Sequence, residues 1–220
     1  MEYCASTNHD ERPPGTVIDM LVLHYTGMES ANDAIKRLCD PQAKVSAHYL
    51  VHKDGRIIQL VGEERRAWHA GVAFWRGYTD INSRSIGVEI VNSGHEFGLK
   101  PFPEKQMASL ETLVLDILKR HPIPKRNVVG HSDVAPRRKT DPGELFDWFR
   151  LYKCGIGIWP KNGMAKSMNY QQAGILLRDF GYEIDDLGKT LEAFQRRFRP
   201  IEINGKLDSE TVQLLSGLQK

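Results

Sequence analysis

Short apolar runs alternate with amphipathic stretches through the first two thirds of the chain. Val17 to Tyr25, VIDMLVLHY, is β-branched and aliphatic, stops before Gly27, and predicts a mostly buried strand. Asn32 to Leu38 predicts a helix. In SAHYLVHKDGRIIQL two strand-like runs flank Asp54 and Gly55, a turn pair that predicts a hairpin over Ala47 to Leu60. Between Gly62 and Ser83 crowded aromatics and glycines predict an irregular loop. Ser85 to Val91 returns to strand character, with Ile86, Val88 and Ile90 on one face and Glu89 on the other. From Glu104 to Arg120, Met107, Leu110, Leu113, Val114, Ile117 and Leu118 recur in steps of three and four, which predicts an amphipathic helix ended by Pro122. Asn127 to Gly130 reads as a short strand, and Pro142 to Phe149 as a short helix opened by Asp141.

After Gly155 the pattern changes. GIGIWPKNG reads as a linker, and three short helical patterns follow, carried by Leu176, Leu177 and Phe180, then by Leu187, Leu191, Phe194 and Phe198, then by Val212, Leu215 and Leu218, with Asp208 as N-cap of the last. The expected fold class is α/β, a mixed central sheet flanked by helices, with a small C-terminal three-helix bundle. The expected division is residues 1–155 and residues 156–220.

Composition narrows the function classes. The 220 residues carry 40% hydrophobic and 26% charged side chains, and 30 basic against 28 acidic residues leave a net charge of +2. That balance demands neither a nucleic acid nor an anionic membrane as partner, and no apolar run approaches the roughly 18 residues a transmembrane helix needs. The opening MEYCASTNHDERPPG has no apolar core of a secretory signal, which points to the cytoplasm, with the cell envelope as the alternative. Cys4, Cys39 and Cys154 are odd in number and widely spaced, so a disulfide framework is not expected.

Six features bear on chemistry: His24, Glu89, His131, Lys139, Asp141 and the aromatic loop near Trp68. His24 and His131 each follow a buried strand, at the edge where α/β sheets present ligand-binding groups. Each is also compatible with a hydrogen-bonded core histidine. Two imidazoles converging there suit zinc, which at catalytic sites takes three protein ligands. Asp141 is the candidate third ligand, although with Pro142 and Glu144 it equally forms a capping box. Glu89 on an otherwise apolar strand needs either a task or an ion-pair partner such as Arg84. Lys139 stands either near a metal, as an oxyanion stabiliser, or in a solvated basic loop with Arg137 and Arg138. No nucleophile elbow of the GxSxG kind accompanies them.

The strings LVLHYTG at Leu21, VSAHYLVHKDG at Val45, AWHAG at Ala67, NSRSIGVEIVNSG at Asn82 and VVGHSDVAPRRKTDPG at Val128 resemble the zinc-dependent N-acetylmuramoyl-L-alanine amidases of the type 2 class, over roughly residues 15 to 155. The resemblance implies Zn2+ bound by His24, His131 and Asp141, Glu89 as general base and Lys139 at the scissile carbonyl. It implies cleavage between N-acetylmuramic acid and L-alanine in peptidoglycan or its anhydro-muropeptide fragments, for wall turnover or recycling. The alternative is a non-catalytic peptidoglycan receptor. Trp68 and His69 then line the cleft against sugar or peptide, and His48 stands in or behind the pocket. The stem-peptide carboxylates would meet arginines among Arg65, Arg66, Arg84, Arg137 and Arg138. LLRDFGY at Leu176, FQRRF at Phe194 and GKLDSETVQLL at Gly205 resemble the peptidoglycan-binding domain appended to many wall hydrolases.

Overall fold

A computed structural model describes residues 1–161, 163–165 and 167–218; Asn162, in the expected linker, lies outside the described residues. The strands are β1 (Glu2–Tyr3), β2 (His9–Glu11), β3 (Met20–Tyr25), β4 (Tyr49–Val51), β5 (Ile57–Gln59), β6 (Arg65–Ala67), β7 (Ser85–Ile90) and β8 (Val128–Gly130). The helices are α1 (Ala31–Cys39), α2 (Ile81–Arg84), α3 (Glu104–Arg120), α4 (His131–Val134), α5 (Trp148–Lys153), α6 (Tyr170–Phe180), α7 (Leu187–Phe198) and α8 (Ser209–Gly217). Six strands form one mixed sheet in the order β1-β5-β4-β7-β3-β8, parallel except for the β4–β5 hairpin, and β2 pairs with β6 in a separate ribbon. The mixed α/β architecture is the one the apolar pattern predicts. Among the described residues no helix is long and apolar enough to cross a membrane.

Alternation along the central strands explains how the layers form. Leu21, Leu23, Ile86, Val88, Ile90 and Val128 point to one face and pack with Met107, Leu110, Leu113, Val114 and Ile117 of α3 and with Trp148 and Leu151 of α5. Met20, Val22 and Val129 point to the other face and share a cluster with Ala173, Leu177, Phe180, Leu191, Phe194 and Leu215 of the three C-terminal helices. Each fully buried Leu or Phe of this kind contributes about 2–3 kcal/mol of burial free energy. The change of pattern after Gly155 is followed by helices α6, α7 and α8, which cover a sheet face opposite the one that α3 and α5 cover.

One buried ion pair fastens that layer. Arg197 of α7 and Asp133 of α4 are 2% and 1% exposed, and Arg197 Nη1 donates to Asp133 Oδ2 at 2.8 Å. Arg197 Nη2 donates to the Val128 carbonyl at 3.0 Å, and the buried Tyr182 hydroxyl donates to Asp133 Oδ1 at 2.6 Å.

Three local differences from the apolar pattern have physical causes. The stretch from Gly62 to Ser83 contains β6 and α2, because Arg65 and Arg66 pair β6 with the acidic β2 through Glu11 and Asp10. No helix starts at Pro142: Gly143 sits at φ 87°, outside the helical region, and α5 begins later, at Trp148 with Asp147 as its cap. β1 and β2 are too short to leave a periodic signal.

Candidate active site

Strand register assembles the site. His24 lies opposite Glu89 where β3 and β7 pair, and β8 delivers His131 immediately after Gly130, which pairs with Leu23. Asp141 reaches the same point from the loop after α4, where its carbonyl accepts from Ser132 N–H and its side chain is free of any capping duty. His24 Nδ1, His131 Nδ1 and Asp141 Oδ2 then stand 3.0, 3.0 and 3.1 Å from one another, and all three residues are buried. These are the three side chains grouped as a candidate metal-holding cluster among the described residues.

The protons of both imidazoles can be traced from fixed backbone acceptors. Ser85 Oγ donates to the Ile81 carbonyl at 2.7 Å, so it accepts from His69 Nε2 at 3.0 Å. His69 Nδ1 is then an acceptor and takes the His24 Nε2 proton at 3.0 Å. His131 Nε2 gives its proton to the Ala70 carbonyl at 3.0 Å. In their neutral forms both rings therefore turn the Nδ1 lone pair toward each other and toward a carboxylate oxygen. Burial, and then the neighbouring His131, lower the His24 pKa to about 4, which keeps that ring neutral at physiological pH. In that form two imidazole nitrogens and a carboxylate oxygen at this spacing repel unless a cation joins them, so the donor set fits zinc.

Glu89 and Lys139 line the same cleft of about 620 Å³ as the three donors, along with Trp68 and Arg138. One Glu89 oxygen, Oε2, is buried without a hydrogen-bond partner. Burial, and then the Asp141 charge, push the Glu89 carboxyl well above its usual range, and the Lys139 ammonium opposes that rise. Arg84 is not its partner; it is taken by Asp19.

The remaining sequence candidates separate. Trp68 lines the cleft, and its indole N–H donates to Asp10. His69 also lines the cleft, but both its nitrogens are engaged by His24 and Ser85. His48 is fully buried below the cleft: Nδ1 accepts from Gly87 N–H at 2.9 Å and Nε2 meets the Arg65 carbonyl, so it faces no open space a substrate could enter. Burial, and then Arg12, lower its pKa to about 3. Arg65, Arg66, Arg84 and Arg137 form ion pairs away from the cleft, whereas Arg138 lines it and donates to the Ala70 and Val72 carbonyls. Sequence reasoning missed Arg37, a cleft-lining residue of α1, and the relay from Ser85 through His69. Gly87 was the available signal for the relay: a Cβ there would meet the His69 ring at 2.4 Å.

The family described as N-acetylmuramoyl-L-alanine amidase matches residues 14–144. The N-acetylmuramoyl-L-alanine amidase AmiD of Escherichia coli is 38% identical, over 91% of this chain and 82% of its own length. The 1,6-anhydro-N-acetylmuramyl-L-alanine amidase AmpD of Haemophilus influenzae is 37% identical over 66% of this chain. The solved complex of Escherichia coli AmiD with anhydro-N-acetylmuramic acid-L-Ala-D-gamma-Glu-L-Lys superposes with a TM-score of 0.83 at 36% identity, covering 94% of this chain and 91% of that one. AmpDh3 of Pseudomonas aeruginosa gives 0.84 at 35% identity, covering 94% and 92%. The chain belongs to the N-acetylmuramoyl-L-alanine amidase family. It is an amidase, a hydrolase of the AmiD and AmpD type.

Proposed function

We propose that this amidase hydrolyses the bond between the lactyl carbonyl of N-acetylmuramic acid and L-alanine in anhydro-muropeptides, with zinc held by His24, His131 and Asp141. The observation that carries the metal is the meeting of His24 Nδ1, His131 Nδ1 and Asp141 Oδ2 within 3.1 Å of one another, while each ring's Nε2 is engaged elsewhere. The substrate class is supported by the AmiD and AmpDh3 complexes, whose ligands are an anhydro-N-acetylmuramic acid peptide and an anhydromuramic pentapeptide.

Bound there, zinc supplies Lewis-acid activation of water and of the amide carbonyl. Ser85, His69 and the Ala70 carbonyl hold the two imidazoles in the ligating tautomer. Glu89 takes the proton of the attacking water, and its raised pKa lets it hold that proton until the alanine nitrogen leaves with it. Lys139 places a positive charge beside the oxyanion that develops on the former carbonyl. Trp68 walls the sugar side of the cleft, and Arg138 faces the anionic stem peptide.

We assign residues 1–155 to the amidase unit and 156–220 to a peptidoglycan-binding-like unit docked on its sheet. The AmiD match extends over 91% of the chain and the AmpD match over 66%, in keeping with a catalytic unit shared by both and a further unit shared with AmiD.

Mass spectrometry of an anhydro-muropeptide digest tests the activity. Free stem peptide with an intact L-alanine terminus is expected, lost on chelation and regained with zinc. Unchanged muropeptide under zinc-replete conditions would refute the proposal.

A further inference from the structure

The fold brings together two thiols that the sequence keeps 35 positions apart. Cys4 follows β1 at the sheet edge and Cys39 ends α1, and their sulfurs stand 3.6 Å from each other. Both backbones are anchored. Cys4 N–H donates to Gln59 O at 3.0 Å, while two residues on Ser6 N–H donates to Leu60 O and Ser6 Oγ to Leu38 O at 2.6 Å. Asn8 Nδ2 adds bonds to the Asp40 and Val45 carbonyls, both at 2.8 Å. The main chains around the two cysteines are thus held at fixed separation. The remaining gap to a bond of about 2.05 Å is roughly 1.5 Å. Both side chains pack against the cluster of Leu38, Leu50, Ile58 and Leu60 and remain partly accessible.

We propose that Cys4 and Cys39 are a reversible dithiol/disulfide site that ties the N-terminal strand to α1, the helix whose Ala34, Arg37 and Leu38 line the catalytic cleft. The oxidant is a small-molecule disulfide. One cysteine of the pair, as thiolate, attacks one of its sulfurs, a mixed disulfide forms and one thiol leaves. The other cysteine, deprotonated, then displaces the second thiol, so two electrons and two protons pass from the protein to the oxidant. The bond closes a loop that contains β3 and His24, which restricts the unfolded chain.

The test uses the full-length protein with oxidised glutathione as oxidant and dithiothreitol as reductant. In a Cys154→Ser background, thiol titration under denaturation is expected to fall from two groups to none, with no glutathione added to the intact mass. Peptide mapping is expected to recover a Cys4–Cys39 linkage, with Tm raised by roughly 10 °C, reversed by reduction and absent in Cys4→Ser and Cys39→Ser. Cys4 and Cys39 recovered free or each carrying glutathione after equilibration at an excess of oxidised glutathione, or a linkage of either to Cys154, would overturn the proposal. So would a Tm shift that persists in Cys39→Ser.

Discussion

Replacing Arg197 by Met tests whether the C-terminal helices are integral to the catalytic fold. The guanidinium is 2% exposed, lies 4.3 Å from the Trp148 ring centroid, and gives one hydrogen bond to Asp133 and one to the Val128 carbonyl. Met fills most of the volume but leaves Asp133 buried, with Tyr182 and Gly130 N–H as its remaining donors and no opposing charge. Breaking a buried pair from one side costs about 3–5 kcal/mol. For a chain of this size that is a fall in Tm of roughly 6–20 °C. Asp133→Asn alone strands the arginine and costs a similar amount. The double variant Asp133→Asn/Arg197→Met carries no buried charge, so its loss is expected to fall short of the summed singles by about 2 kcal/mol or more. Urea melts of the four proteins measure this directly. Additive losses, or a single-variant loss under about 1 kcal/mol, would show that Arg197 does not fasten the layer. Because Asp133 accepts from the N–H of Gly130, the residue before His131, zinc content is expected to fall with stability.

Glu89→Gln is expected to keep bound zinc and lose about 10²–10⁴ of kcat, and Lys139→Ala to behave alike with a smaller loss, measured on a purified anhydro-muropeptide. Gly87→Ala forces the His69 ring off β7, and Ser85→Ala removes its acceptor; both are expected to weaken zinc roughly 10–100-fold in a competition titration with a coloured chelator, without touching a ligand. Unchanged affinity in both variants would remove the relay. Glu63 accepts from Arg120, His121 and Tyr49, and although burial opposes its charge these partners lower its pKa from 4.5 to about 2. A depressed carboxylate stabilises above its unfolded pKa and loses that contribution as pH falls through the folded value. About 3 kcal/mol at most is therefore lost between pH 5 and 2, and Glu63→Gln is expected to flatten that part of the stability curve.

Periodicity made the sheet and the long helix legible. Glu104 to Arg120 carries a stripe of apolar residues and is α3 with the same ends, and the alternation around Glu89 announced which side of β7 faces the site. The three C-terminal helices were legible too, but not their partner: an apolar stripe says that a helix face is buried without saying that the far face of the sheet covers it. The capping-box reading of Asp141 failed because Gly143 adopts a left-handed conformation that no side-chain pattern signals. The convergence of His24, His131 and Asp141 follows from register, a long-range property, and so is legible in the sequence through motif resemblance rather than local pattern. The Ser85–His69 relay was hidden for the same reason: AWHAG and NSRSIG give no sign that a ring from one lies against a glycine of the other.

Anomalous scattering at the zinc edge from crystals of the zinc-loaded protein addresses the central claim most directly. The account predicts one peak about 2.0–2.2 Å from His24 Nδ1, His131 Nδ1 and an Asp141 oxygen, abolished in His24→Ala together with amide cleavage. A fully active protein whose three groups hold no metal, or a peak coordinated elsewhere, would contradict it.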